Sequence, residues 1–391
     1  MSIPQPLLKI KSIIILNKIL SKFSRIRLLK LIKYNKNIQK KLNINIKKYR
    51  TIEIEIIPSD SFGQFINIDK ENEKYCHIYF NDNDNEKKIK KLTSTDKVTK
   101  IKIILDYEIK SFANLFSNCN CNKEIIFKNF IRNDINNMRY MFSYCKMLEY
   151  INLSKFNTEN VTDMSGMFCD CHILEVIDLS YFNACNVTDI AFMFSGCAFL
   201  KSIDLSKFNA KKITRMLGTF RGCRSLKFIN LAGLNTQEVK DMCLLFHACE
   251  SLKSIDLSNF NTQNVETMTG MFANCKALTS IYMPNFNTQN VIYMDSMFSR
   301  CEAIKEINIS NFDTKNVKFM DYMFHKCYSL KLIDLSNFNF ENICVEYMFS
   351  NCSNELKMII KTQNMNIKKK HLKILITMVY NVLISYKLNK K

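Results

Sequence analysis

The sequence predicts an α/β repeat fold, a solenoid of about ten 26-residue coils, and three observations predict it. One phenylalanine returns every 26 residues, at Phe116, Phe142, Phe168, Phe194, Phe220, Phe246, Phe272, Phe298 and Phe324, and a tenth copy, Phe349, follows 25 residues later. A cysteine keeps step with it, at Cys119, Cys145, Cys171, Cys197, Cys223, Cys249, Cys275, Cys301, Cys327 and Cys352. Most copies also carry two apolar residues flanking one polar residue, as in Ile151/Leu153, Ile203/Leu205 and Ile255/Leu257. A fixed period in the range of roughly 20 to 50 residues marks a stacked array, because one such unit cannot bury its apolar face alone.

Composition agrees with this reading. The chain has 391 residues, 47% of them hydrophobic, which in an ordinary globular protein would suggest two or three domains. A repeat array grows in one dimension without new cores, so the period overrides that expectation. With 7 Gly and 4 Pro the chain is neither collagen-like nor a flexible linker. The net charge of +20 is uneven: residues 1–50 carry 14 Lys/Arg and no acid (+14), residues 353–391 carry nine Lys and one Glu (+8), and 20 − 14 − 8 leaves −2 for 51–352. Basic ends of this kind can meet nucleic acid or an anionic membrane. The expected reading is solvated lysines on terminal helices, with neither nucleic acid nor membrane as partner. Ten of the 16 cysteines occupy one repeat position, which reads as a ladder of small buried thiols rather than a disulfide framework and favours a reducing compartment. No secretory signal is expected, since Asn17 and Lys18 break the apolar run Ile13 to Leu16.

Taken in order, residues 1–50 form a basic helical segment. Ile13, Leu16, Ile19, Leu20 and Phe23 keep helical spacing, and Leu28, Leu29 and Ile32 repeat it. The run Ile14-Ile15-Leu16-Asn17-Lys18-Ile19-Leu20-Ser21-Lys22-Phe23 followed by Leu28-Leu29-Lys30-Leu31-Ile32 loosely resembles an F-box. That resemblance implies an adaptor that docks on a ubiquitin-ligase scaffold through a Skp-type partner. Residues 51–110 change to a period of two and read as a β cap, with strands expected at Thr51 to Ile56, Cys76 to Phe80 and Val98 to Ile109. Such a cap covers the open edge of an array.

Residues 111–352 are the solenoid. Each coil has a strand whose paired apolar residues face inward, with a Leu before it and a Phe after it as further core contacts, as in Leu148, Ile151, Leu153 and Phe156. An Asn-Thr or Asn-Ala turn follows, then a second apolar piece such as Val161 to Phe168, expected to be a strand start and a helical turn. At ~4.8 Å per coil the rod would be on the order of 50 Å long. Residues 353–391 are expected to close it. Leu356 to Ile360 caps the last coil, and Leu372 to Tyr386, too short and too polar for a bilayer span, forms a C-terminal helix.

The phrase Met-Phe-x-x-Cys-x-x-Leu-x-x-Ile-Asp-Leu-Ser-x-Phe-Asn-Thr-x-Asn-Val-Thr-Asp-Met, most nearly pure at Met141 to Met164, resembles the BspA-like leucine-rich repeat family over 111–352. The resemblance implies a right-handed leucine-rich-repeat solenoid used for binding. Many members are surface adhesins or antigens.

No catalytic constellation is found. His77, His172, His247, His325 and His371 are scattered, and no glycine-rich phosphate loop is present. Cys169-Asp170-Cys171-His172 and Cys119-Asn120-Cys121 hint at zinc, but their spacing is too tight for a finger and the ladder cysteine belongs to the repeat. No metal, cofactor or small-molecule substrate is therefore expected. Asp163, Asp189 and Asp241 share one repeat position and Asp295 and Asp321 share another, which suggests a turn or cap role rather than a catalytic carboxylate. The candidate partner-binding residues are the outward column between the paired core positions: Asn152, Asp178, Asp204, Asn230, Asp256, Tyr282, Asn308 and Asp334. Specificity would come from off-consensus residues such as Arg215, Arg221, Arg224 and Tyr282. The reading is a cytoplasmic, non-catalytic protein-interaction scaffold. Its alternatives are the ubiquitin-ligase adaptor and a BspA-like adhesin at the cell surface.

Overall fold

The computed structural model of the protein describes residue 40 and residues 51–130, 132–340 and 343–359. The helices expected in 1–50 and over Leu372 to Tyr386 lie outside the described residues. Among the described residues no helix is long and apolar enough to cross a membrane.

The N-terminal part is a small antiparallel unit fused to the array. β1 (Ile52–Pro58) runs between β5 (Ile101–Leu105) and β6 (Asn122–Asn129), with β3 (Cys76–Phe80) on the outer edge of β5. A two-stranded ribbon of β2 (Gly63–Gln64) and β4 (Lys91–Leu92) lies beside it. The alternation Ile52, Ile54 and Ile56 inward against Glu53 and Glu55 outward holds the register, since a one-residue slip would expose all three isoleucines. β6 is at once the last antiparallel partner and the strand of the first coil, because its other edge pairs in parallel with β7 (Tyr150–Asn152). Arg132 fastens the junction. Its buried guanidinium donates to Asp134 at 2.9 Å, to the Asp106 carbonyl at 2.8 Å and to the Ile109 carbonyl, and it lies over the Tyr107 ring.

Numbered by their phenylalanines from Phe116 to Phe349, the coils carry the strands β7 in coil 2, then β8 (Ser202–Asp204), β9 (Phe228–Asn230), β10 (Ser254–Asp256), β11 (Ser280–Tyr282), β12 (Glu306–Ile307), β13 (Leu332–Asp334) and β14 (Lys357–Ile359) in coils 4 to 10. β14 pairs in parallel with β13, so the chain around Leu356 does extend the stack. Coil 3 differs: residues 175–179 form no strand. The strand face is thus a series of short patches, β8–β9, β10–β11 and β12–β13–β14, rather than one sheet.

The continuous element is elsewhere, and it corrects the expected helical turn. The Met-Phe-x-x-Cys arc of every coil is extended and turned. The only helical element among the described residues of 51–359 is the three-residue 3-10 turn Glu73–Tyr75. Alternate N–H groups of the arc donate to the next coil: Met138 to Asp163 at 2.9 Å, Tyr140 to Ser165 at 2.8 Å, Phe142 to Met167 at 2.9 Å and Tyr144 to Cys169 at 2.7 Å. The set returns along the array to Met320, Tyr322, Phe324 and Lys326. Two residues per arc sit in the left-handed region, as with Tyr140 at φ 51° and Tyr144 at φ 58°, and this excludes a helix there. One of these columns alternates large and small: a Cβ on Gly166 would lie 2.0 Å from the Tyr140 ring, and one on Gly218 would lie 2.7 Å from the Phe192 ring. Tyr140, Phe192 and Leu244 therefore each lie across the next coil's glycine.

Inside the arc the phenylalanines stack with centroids 5.5 Å apart for Phe116–Phe142 and 5.6 Å for Phe220–Phe246, planes within 2° of parallel. Offset stacks of this kind add about 0.5 to 1.5 kcal/mol each beyond area burial. The thiols form the expected ladder. Cys145 Sγ donates to the Phe116 carbonyl at 3.0 Å, Cys171 Sγ to Phe142 at 3.1 Å, and the pattern continues to Cys352 and Phe324. Burial pushes the Cys145, Cys223 and Cys275 thiols up to about 12. A third column is threonine: Thr262 Oγ1 donates to the Asn287 carbonyl at 2.8 Å and accepts from the Asn287 N–H at 2.7 Å.

Candidate functional site

The outward column expected to bind a partner is placed where alternation puts it, between buried neighbours. Its side chains, however, are already engaged. The Oδ1 atoms of Asn152, Asp178, Asp204, Asn230, Asp256, Asn308 and Asp334 accept the backbone N–H two residues on, at 2.8 to 3.2 Å. These are Asx turns that close the strand into the following corner. The bond from the Ser206 N–H holds the Asp204 carboxyl below its ordinary range, and that from Ser258 does the same for Asp256. Tyr282 is the exception and shows the rule: two residues on is Pro284, which has no N–H to cap. The Asp163, Asp189 and Asp241 column has the turn role expected of it, accepting from the N–H of Ser165, Ala191 and Cys243.

A group of exposed apolar side chains on this face gathers around the irregular coil. Val176 is 65% exposed, Phe228 58%, Tyr181 56%, Phe199 53% and Tyr150 48%. Tyr150, Val176, Tyr181 and Phe199 line an open groove of about 750 Å³ across coils 2 to 4, with Ile173 on its floor. Among the described residues no backbone hydrogen bond joins 176–179 to β7 or β8. The carboxylates at its rim are paired. Glu175 meets Lys201, Glu149 lies 3.5 Å from Lys123, and Asp178 caps its turn. Sequence reasoning missed this group. Its signal was available, since the columns that hold Val176 and Phe199 carry Ser in coils 6 and 9: Ser254 and Ser329.

The other off-consensus residues do not converge. Arg215 pairs with Asp189 at 3.1 Å, Arg224 with Glu250 at 3.7 Å, and Arg221 lies apart from both pairs on the arc. Nor do the residues that hinted at zinc. Cys171 points into the core toward Phe142, whereas His172 Nδ1 lies 3.1 Å from the Gly196 carbonyl on the surface.

A family model described as "Mycoplasma protein of unknown function, DUF285" matches residues 110–227, 198–282 and 256–363. The repeats it covers are those with the BspA-like leucine-rich phrase. Among solved structures the chain is similar to a leucine rich cell surface protein from Faecalibacterium prausnitzii, with 21% identity, 64% of this chain and 76% of that chain covered, and a TM-score of 0.34. It is also similar to a leucine-rich repeat protein from Eubacterium ventriosum, at 15% identity, 67% and 84% coverage and a TM-score of 0.30. A third, the leucine rich repeat protein of T. pallidum, matches at 15% identity, 46% and 83% coverage and a TM-score of 0.24. No curated protein matches.

Proposed function

We infer that this chain, which belongs to the DUF285 family, is a non-catalytic protein-interaction scaffold that engages its partner through the apolar groove of coils 2 to 4. The observation that carries the reading is the exposure of Tyr150, Val176, Tyr181 and Phe199 side by side along one open groove. Contiguous exposed apolar surface with a polar rim is what protein partners bury. The commitment of Glu149, Glu175 and Asp178 to local partners supports binding rather than acid–base chemistry. Phe228 continues the patch into coil 5, and the Asx column frames it. The thiol ladder supports a cytoplasmic location over the cell surface. A ubiquitin-ligase adaptor or an adhesin would use such a face in the same way, the adaptor adding residues 1–50 as its Skp-type contact.

Panning a random peptide library against the full chain tests the groove. Selected peptides should bind the wild type and lose at least tenfold with Val176→Ser and Phe199→Ser together, both of which copy residues found at these positions in other coils. Peptides that bind both forms equally would contradict the reading.

A further inference from the structure

The C-terminal coils carry a second exposed surface, on the arc rather than the strand face. Tyr293 and Phe319 stack at 5.3 Å, 44% and 36% exposed, and Tyr322 and Tyr347 stack at 5.1 Å, 40% and 51% exposed. These are two separate aromatic columns. Between them in register runs a third column, Asp295, Asp321 and Glu346, two residues on from Tyr293, Phe319 and Cys344 along each arc. Met294 and Met320 turn fully inward, which sends the residues on either side of them outward. The columns are tied coil to coil. Ser296 N–H donates to the Asp321 carbonyl at 2.8 Å and Tyr322 N–H to the Glu346 carbonyl at 2.9 Å. Asp321 N–H donates to Asp295 Oδ1 at 3.3 Å, and Glu346 N–H to Asp321 Oδ1 at 2.5 Å. Asp295 and Asp321 each keep the second carboxylate oxygen for another partner, Glu346 enters these bonds through its backbone alone, and among the described residues none of the three forms an ion pair within 4 Å. The basic residues Lys318 and Lys326 lie outside the three columns.

We propose that this strip is a docking surface for an arginine-bearing segment of a partner protein, whose guanidinium groups lie on the aromatic columns and pair with Asp295, Asp321 and Glu346. The argument is charge complementarity on an unpartnered aromatic face. A guanidinium is planar, stacks on aromatic rings and forks onto carboxylates, so it satisfies both column types at once. The excess positive charge lies in residues 1–50 and 353–391 and residues 51–352 carry −2, so the array itself does not repel a cationic peptide and the strip supplies the local carboxylates it needs. This surface is separate from the groove of coils 2 to 4, and its success or failure is read independently.

The test is fluorescence anisotropy of a labelled oligo-arginine peptide titrated with the full chain, beside the uncharged oligo-citrulline analogue. Tyr322 and Tyr347 occupy left-handed positions at φ 58° and 55°, so Tyr322→Asn with Tyr347→Asn removes the rings and keeps a residue that adopts this backbone. Asp295→Asn with Asp321→Asn removes charge and keeps both Oδ1 acceptors. Arginine peptide should bind and weaken with salt, and citrulline peptide should not bind. Each double variant should weaken binding about tenfold or more, while Val176→Ser with Phe199→Ser leaves it unchanged. Binding indifferent to the tyrosine variants would reduce the strip to diffuse charge and overturn the proposal. So would no binding by the full chain, the result expected if this chain's own lysine-rich residues 361–391 or a second copy fill the strip.

Discussion

Replacing Thr288 by valine removes one hydroxyl from the interior and changes almost nothing else, so its cost isolates what the threonine column does. Thr288 is 1% exposed. Its Oγ1 donates to the Asp313 carbonyl at 2.8 Å and accepts from the Asp313 N–H at 2.7 Å, bridging one coil to the next through a single atom. Valine has the same shape, so no cavity opens. Two backbone groups lose their partner instead. At about 1 to 3 kcal/mol for each group left unsatisfied, the expected cost is about 2 to 6 kcal/mol. A repeat array opens locally as well as globally, so a single melting temperature is a poor readout. Native-state hydrogen exchange resolves the site: protection at the Asp313 amide should fall at least about thirtyfold, with amides four or more coils away unchanged. The array also holds its own alternative. Where the column has Ala210, the backbone closes on itself, Ala210 N–H donating to the Gly233 carbonyl at 2.8 Å and Asn235 N–H to the Ala210 carbonyl at 2.9 Å. Unchanged protection at Asp313 in Thr288→Val would mean that coil 8 can relax in that way, and the reasoning about an obligatory bridge would fail.

Further perturbations address other columns. Gly166→Ala should destabilise by more than about 2 kcal/mol, since it adds a Cβ at φ 59° and 2.0 Å from the Tyr140 ring; Tyr140→Asn should recover part of that in a double-mutant cycle, and strict additivity would refute the contact. Arg132→Met should cost about 2 to 4 kcal/mol in urea unfolding by leaving the Asp106 and Ile109 carbonyls unpaired at the junction while Asp134 keeps Lys110 at 2.6 Å, and a loss under 1 kcal/mol would contradict its fastening role. Native protein treated with a maleimide at pH 8 should label the exposed Cys344 and leave the ladder thiols, pushed to about 12 at Cys145 and Cys275, unreacted until unfolding; rapid labelling of Cys145 would show that the ladder opens. Asp204 and Asp256 have folded values held below 3.8, so their contribution is complete above pH 3.8 and is lost as pH falls through the lower folded values. Asp204→Asn with Asp256→Asn, which keeps both turn bonds, should flatten the acid limb of the stability curve, and an unaltered limb would refute the assignment.

The core was legible because it repeats. Phe116 to Phe349 and Cys119 to Cys352 announce their rows by period alone, and paired residues such as Ile255 and Leu257 announce an inward face by alternation. What periodicity does not encode is which segment carries the hydrogen bonds between coils. The strand was the natural choice, yet the arc around Met141 and Phe142 holds the ladder that joins every pair of neighbouring coils, with the Met216 bond alone missing from the set between coils 5 and 6. Its clue lay in polar and small residues, the Gly and Asn that recur at left-handed positions such as Asn118, Gly166, Gly196, Gly218 and Asn274. The Asx column was expected to meet a partner, and the sequence does not disclose that its Oδ1 atoms also cap the chain, because Asn152 or Asp204 is equally suited to a partner and to its own backbone two residues away. Tyr282 followed by Pro284 separates the two readings, but only once the capping bond is known. The groove escaped because its columns mix apolar and polar residues, Tyr150, Val176 and Phe228 in one column with Ser202 and Ser254, so no consensus marks them.

Site-specific photo-crosslinking in living cells addresses the central claim most directly. A photoreactive amino acid placed at Val176, in the groove, is compared with the same probe at Ser254, three coils along the same column and outside the groove. The interaction scaffold predicts a discrete protein adduct from position 176 and none from 254. Adducts of equal strength at both positions, or none at 176 with full incorporation, would contradict it.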